Sequence, residues 1–171
     1  SIDCQTIVAS ITQEKLMDKI FKTNRPDYVF HAAAYKHVPM MEDSPSEAIY
    51  NNVYGTKIMA DLSVKYGVRK FVMISTDKAE NPTNVMGCSK RLCEIYTQSL
   101  NGAQETTEFV TTRFGNVLGR NGSVIPIFEK QIRNGGPVTV TDPNVTRFFM
   151  LIPEACKLVL EAGTHGHGGQ I

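Results

Sequence analysis

Neither sign of charge dominates this chain: eighteen basic side chains face seventeen acidic ones, a net charge of +1 over 171 residues. The electrostatic footprint of a nucleic-acid binder is missing, and no nucleic-acid partner is expected. Missing too is any apolar run near the roughly 20 residues that a spanning helix needs, and no signal-peptide pattern opens the sequence. Cys4, Cys88, Cys93 and Cys156 show no CxxC spacing. They read as reduced, partly buried thiols of a cytoplasmic protein rather than metal ligands or a disulfide framework. His165 and His167 stand in a Gly-rich tail. Two histidines alone make a poor metal site, so no metal is expected. One further absence weighs more. A dinucleotide-binding sheet normally begins with a strand and a G-x-G-x-x-G-type turn that seats a pyrophosphate on a helix N-terminus. Nothing before Asp27 has that pattern.

What is present alternates between strand-like and helix-like segments, in a length that suits one domain with a real core. Short apolar runs at 6–9, 27–34, 70–75 and 109–114 read as strands. Helical spacing of Leu16, Met17, Ile20 and Phe21 predicts a helix over 13–22, with Thr12 as its N-cap. Further helices are predicted over 46–66, stopped at Gly67, and over 84–100. Beyond them a helix over 123–134, a short strand over 137–141 and a helix over 153–162 with Pro at its first position complete the pattern. Such alternation argues for an α/β fold, a Rossmann-like doubly wound parallel sheet with helices on both faces. The final Gly168-Gly-Gln-Ile171 ends on an apolar residue, as if another strand were about to start. With the missing turn, this reads as a piece of a larger α/β protein whose N-terminal β-α-β unit is incomplete.

The most informative stretch is Ser75-Thr-Asp-Lys-Ala-Glu-Asn-Pro-Thr-Asn-Val-Met-Gly-Cys-Ser-Lys90. It sets an acid, Asp77, and a base, Lys78, just past the end of a buried strand, which is where open parallel sheets bind ligands. Met86 and Lys90, four residues apart, share one face of the helix that follows. The plainer alternative for Asp77 and Lys78 is a surface salt bridge capping a helix.

Several segments together resemble the extended short-chain dehydrogenase/reductases: His31-Ala-Ala-Ala-Tyr-Lys-His-Val-Pro39, Asn52-Val-Tyr-Gly-Thr56, Ser75-Thr-Asp-Lys-Ala79, Pro82-Thr-Asn-Val-Met-Gly87, Ser89-Lys-Arg91, Arg113-Phe-Gly-Asn-Val-Leu-Gly119 and Thr146-Arg-Phe-Phe-Met150. More narrowly, they are similar to the nucleotide-sugar 4,6-dehydratases of bacterial polysaccharide and capsule biosynthesis, which act on UDP-N-acetylglucosamine. The resemblance implies a partial NAD-binding domain over 1–118 and a truncated substrate-binding portion over 119–171. It implies NAD in preference to NADP, a UDP-sugar as small-molecule partner and a homo-oligomer. The wording of 82–87 looks more like the larger, membrane-anchored members that retain configuration at C5.

In this family the reaction needs one acid and one base near C5 and C6 of the sugar, and a group that helps deprotonate the C4 hydroxyl. The resemblance assigns the acid to Asp77, the base to Lys78, the hydroxyl beside C4 to Thr76, and the nicotinamide ribose contact to Lys90. In water a neighbouring Asp and Lys are carboxylate and ammonium, the reverse of the useful forms, so burial has to favour their neutral states. Where most of the superfamily carries a tyrosine, this chain has Met86, whose thioether cannot shuttle a proton. The work then falls to Asp77 or to a water held by Thr76 and Lys90, and the other reading of Met86 is core filler.

For the cofactor, Ser75 and the small residues Ala32, Ala33 and Ala34 allow close approach to NAD, or simply pack tightly. Asn52 matches an asparagine that braces the active-site strand or a water near the lysine. Lys36 and His37 are expected to face substrate, and Asn116 and Arg147 to contact its diphosphate, Arg being suited to phosphate oxygens by its fork. The loop Gly119-Arg-Asn-Gly-Ser123 adds candidate backbone donors for an anion. Where the family has an acidic residue against the adenine, this chain has Ala9-Ser10. Two other function classes stay open: an epimerase or reductase of the same superfamily, and an inactive structural remnant.

Overall fold

Residues 70–76, Lys-Phe-Val-Met-Ile-Ser-Thr, form the middle strand of the molecule because an apolar, β-branched run of this length is best satisfied with both faces covered. In the computed structural model, which describes residues 2–118, 124–140 and 142–171, this strand, β2 (Lys70–Thr76), lies between β1 (Tyr28–His31) and β3 (Glu108–Phe114). All pairing is parallel, with Val29 opposite Phe71 and Phe71 opposite Phe109. That is the Rossmann-like sheet expected from the alternation.

Side-chain alternation then decides which helix covers which face. Phe71, Met73 and Phe109 pack with Ala60 of α4 (Gly55–Tyr66) and Cys93 of α5 (Val85–Ala103). The residues between them point the other way, where the Phe30 ring and Val72 meet Gly163 of α7 (Ile152–His165). The sheet is therefore covered on both sides. A second cluster joins Met17 and Phe21 of α1 (Glu14–Asn24) to Ile58 and Leu62 of α4 and to Val68.

Elements between β1 and α4 are more broken than the sequence suggested. After β1 come α2 (Val38–Asp43) and α3 (Pro45–Ala48), then a π-helical turn over Ile49–Tyr54 that runs into α4. Gly67 ends α4 in the left-handed region at φ 72°, as expected. The expected strand at 6–9 is not formed: these residues are exposed and pair with no strand among the described residues. Nor does Thr12 cap α1, because its hydroxyl pairs with Ser10 and Gln13 takes the cap position without a side-chain bond. β1 stops at His31, three residues short of the expected end, since Ala32 to Ala34 leave the sheet at its carboxyl edge.

The last third builds little core. The helix α6 (Val124–Arg133) has no buried residue, and 137–140 form no strand where one was expected. A small parallel pair instead joins β4 (Asn116–Val117) to β5 (Phe149–Met150), a pairing two residues long that periodicity does not reveal. Among the described residues, no helix is long and apolar enough to cross a membrane.

Candidate active site

The carboxyl ends of the three strands open into a cavity of about 420 Å³. Its wall includes Ala32, Ala34, Lys36, His37, Ser75, Thr76, Lys78, Met86, Lys90 and Asn116. Ten of the fourteen residues singled out from the sequence therefore converge on one place. Of the other four, Asp77 touches the site through its neighbours, whereas Ala33, Asn52 and Arg147 do not reach the wall.

Close packing puts the reactive turn there. Past β2 the chain makes one 3₁₀ turn, Asp77–Ala79, begun by Thr76, whose hydroxyl accepts the Lys78 amide at 3.4 Å. The amino end of α5, capped by Asn84 on the Gly87 amide at 2.8 Å, sits directly on that turn. A Cβ at Gly87 would stand 2.4 Å from the Lys78 carbonyl oxygen, so only glycine permits this approach. Gly115 plays the same part on β3's side, where a Cβ would come within 2.8 Å of the Phe148 carbonyl.

Asp77 and Lys78 form an ion pair in which Lys78 Nζ donates to Asp77 Oδ1 at 3.1 Å, while the Thr76 hydroxyl donates to the same oxygen at 2.9 Å. Burial pushes the Asp77 carboxyl up, but those hydrogen bonds and the Lys78 charge outweigh it and hold the group below the usual carboxylate range. The pair thus rests in its charged form, at side-chain exposures of 40% and 34%.

Lys90 differs. It is 6% exposed and donates from Nζ to the Ile74 carbonyl at 2.8 Å, beneath the turn. Burial pushes its ammonium down, against the pull of Cys93 and Glu94. His31 lies within the range of that charge, its ring tilted by 36° against Phe71 with centroids 5.4 Å apart and bonded through Nε2 to Thr56 Oγ1 at 2.9 Å. Burial and the Lys90 charge lower its pKa to about 3. The Ser75 hydroxyl, also on the wall and 5% exposed, makes no hydrogen bond among the described residues, although it is near enough to Glu94 to favour the ionised carboxylate.

Met86 has a double position. It faces the cavity and packs in a buried cluster with Met41 and Ala48, so it is core as well as wall. Asn52 is wholly buried on the π turn and spends its amide on the Tyr35 backbone, at 2.7 and 3.0 Å, and on Ser89 Oγ at 2.9 Å. It braces the segment after β1 against α5 and leaves no polar atom for a cofactor. Arg147 is exposed, its Nη1 bonded to the Thr146 carbonyl at 2.8 Å. The loop 119–123 lies outside the described residues.

Two groups that sequence reasoning missed lie just behind the site. Glu94, one turn after Lys90 on α5, is fully buried and accepts a fork from Arg113, Nε at 2.8 Å and Nη2 at 2.6 Å. Arg91 adds a third bond at 3.0 Å. Burial pushes the Glu94 carboxyl up, but Arg113, the nearby Ser75 hydroxyl and Arg91 overcome it and hold it low. The spacing of Lys90 and Glu94 was the available signal. Among the described residues no cluster of histidine, cysteine and carboxylate could hold a metal, and all four cysteines are free, three of them exposed.

A family model described as polysaccharide biosynthesis protein matches residues 1–171. The capsular polysaccharide biosynthesis protein CapD of Staphylococcus aureus is 52% identical over 170 residues, covering 99% of this chain and 28% of CapD. A UDP-glucose 4-epimerase of Rickettsia canadensis is 47% identical over 148 residues, covering 85% of this chain and 43% of that protein. Among solved structures, Pen from Bacillus thuringiensis matches with a TM-score of 0.86 at 36% identity, over 95% of this chain and 50% of Pen. This chain therefore spans half or less of the length of each of these proteins.

Proposed function

The chain belongs to the polysaccharide biosynthesis protein family, and on that premise we propose that it carries the reactive groups of an NAD-dependent 4,6-dehydratase of a UDP-N-acetylhexosamine, UDP-N-acetylglucosamine in the first place. One observation carries the reading: an acid and a base ion-paired at 3.1 Å, beside a hydroxyl and a buried lysine, at the mouth of one cavity.

The wall suits a nicotinamide ribose. Ala32 and Ala34 leave room, the buried Ser75 hydroxyl finds no hydrogen-bond partner among the described residues, and Lys90 uses one of its three N–H donors on Ile74. When bound there, NAD would supply the hydride chemistry. Lys90 and Ser75 would hold it, and the Thr76 hydroxyl would turn from Asp77 to the sugar's C4 hydroxyl. Lys36, His37 and Asn116 are placed to meet the rest of the nucleotide sugar.

The resting ion pair is the wrong way round for elimination, and its geometry supplies the remedy. One proton moved along the Lys78–Asp77 hydrogen bond turns carboxylate and ammonium into carboxyl and amine. Those are the forms that protonate the C6 hydroxyl and take the C5 proton. A substrate that covers the pair removes water and so favours the neutral forms. Retention at C5 is the stereochemistry we favour.

Epimerisation is the second reading, favoured by the likeness to the Rickettsia canadensis protein. Proton NMR of UDP-N-acetylglucosamine incubated with the protein and NAD in heavy water separates the two. Dehydration gives a C6 methyl and deuterium at C5, and epimerisation at C4 gives neither. A chain that binds no NAD and leaves the sugar nucleotide unchanged would sink both.

Self-association belongs to the same reading. Tyr50 and Tyr54, stacked at 5.4 Å, and Leu92 and Ile95 leave exposed apolar surface on neighbouring helices. Sedimentation that stays monomeric at all concentrations would remove it.

A further inference from the structure

Lys90 poses an electrostatic problem that its visible partner does not solve. The side chain is almost wholly buried, yet among the described residues its one hydrogen bond goes to a neutral carbonyl, Ile74 O at 2.8 Å. An ammonium in such surroundings sheds its proton unless a negative charge stands nearby. The groups around it can be counted by element. From β1 comes His31, neutral at pH 7. From β2 come the Ile74 carbonyl and the Ser75 hydroxyl, and on the shared cavity wall stands Lys78, itself cationic in its pair with Asp77. From α5 come Cys93 and Glu94. Cys93 attracts Lys90 only as a thiolate, and burial pushes that thiol up, with its Sγ–H given to the Asn52 carbonyl at 3.1 Å. Glu94 remains as the group that is anionic at pH 7.

We infer that Glu94 is a positioning residue for this site: a fully buried carboxylate, forked onto Arg113 of β3 and one helical turn from Lys90, that supplies the counter-charge keeping the Lys90 ammonium against the Ile74 carbonyl at the end of β2. The geometry makes it more than a packing pair. Lys90 and Glu94 lie on one face of α5 and grip adjacent strands, one at Ile74 and the other at Arg113, and Arg113 stands directly opposite Ser75 in the parallel register. Arg113 has a divided effect. It keeps Glu94 ionised and in place, and its own positive charge offsets part of what Lys90 feels.

This inference rests on the proposed function for its purpose, namely that a charged Lys90 holds the cofactor, but its test does not need the cofactor. The protein with 13C-labelled lysine Cε would be titrated by NMR without ligand, the Lys90 signal being assigned by Lys90→Arg. In Glu94→Gln the Lys90 midpoint should move to lower pH, because the counter-charge is gone and the shape remains. In Glu94→Asp, which keeps the carboxylate, it should stay near the wild-type value. A merely structural pair would shift Glu94→Gln and Glu94→Asp alike or leave Lys90 unmoved in both, and either result overturns the inference. Should Glu94→Gln fail to fold, the wild-type titration decides alone: a Lys90 that is already neutral at pH 7 sinks the idea. NAD affinity is measured separately by fluorescence or calorimetry. A Lys90 midpoint that falls in Glu94→Gln and stays in Glu94→Asp, without NAD binding, would leave Glu94's role standing and remove the function reading. Binding of NAD with an unmoved Lys90 in Glu94→Gln would do the reverse.

Discussion

Two acid–base pairs flank the strand ends, and they differ in nearly every physical respect. Asp77 and Lys78 share a single hydrogen bond at side-chain exposures of 40% and 34%. Glu94 and Arg113 share two, with the carboxylate fully buried and the guanidinium 21% exposed. An exposed pair contributes little stability, about 0–1 kcal/mol, because water and salt screen it. A buried pair is dangerous to break, since the survivor is left as an uncompensated charge. The difference suggests a division of labour. On the proposed reading the outer pair exchanges its proton during the reaction, and the inner one holds the frame beneath it.

The comparison breaks most visibly at Glu94. Glu94→Ala should lower unfolding free energy by about 3–5 kcal/mol in urea denaturation, because Arg113 loses its fork. A loss under 1 kcal/mol would mean that the inner pair is as dispensable as the outer. Next in size comes Lys78→Ala. Dehydration should fall by about a hundredfold or more, roughly 2.7 kcal/mol of barrier, with an unchanged melting temperature. Normal turnover would place the base elsewhere.

A pH series sharpens the inner side further. His31 is held neutral in the fold with a pKa of about 3, against 6.5 when exposed. The unfolded chain therefore takes up a proton that the folded chain refuses, and stability is full above 6.5 and falls as pH drops towards 3. Between pH 6.5 and about 5 the loss should be about 2 kcal/mol, and His31→Gln should abolish that slope. Glu94 adds its own loss lower down, as pH falls below the ordinary carboxylate value of 4.5. The smallest effect is expected at Asp77→Asn. Stability should change by less than about 1 kcal/mol while dehydration is lost, and equal damage to both would deny the outer pair its separate role.

Much of the site was legible because its residues are contiguous. A strand followed at once by Thr76, Asp77 and Lys78, and a helix carrying Met86 and Lys90 at a spacing of four, lie within one continuous segment, so local periodicity suffices to bring them together. Arg147 was less legible. Motif order placed it with Asn116, and β4–β5 pairing does bring the segments close, but the guanidinium folds back onto its neighbour's carbonyl. Asn52 was recognised as a brace, yet which backbone it braces depends on Tyr35, seventeen residues away. The strand expected at 6–9 shows the other limit. An apolar run is a strand only where a partner edge receives it, and none does.

By itself, then, the sequence determined the alternation of strands and helices, the parallel sheet that follows from it, and the acid, base and lysine at the end of β2. These are properties of short windows, set by side-chain period and chain order. Only the tertiary structure decided the charge state of the site. Burial of Lys90 and His31, the fork of Arg113 on Glu94 across nineteen residues, and the approach of α5 allowed by Gly87 all depend on groups distant in the chain. A charge is fixed by what surrounds it in space, and the order of residues along the chain does not specify that neighbourhood.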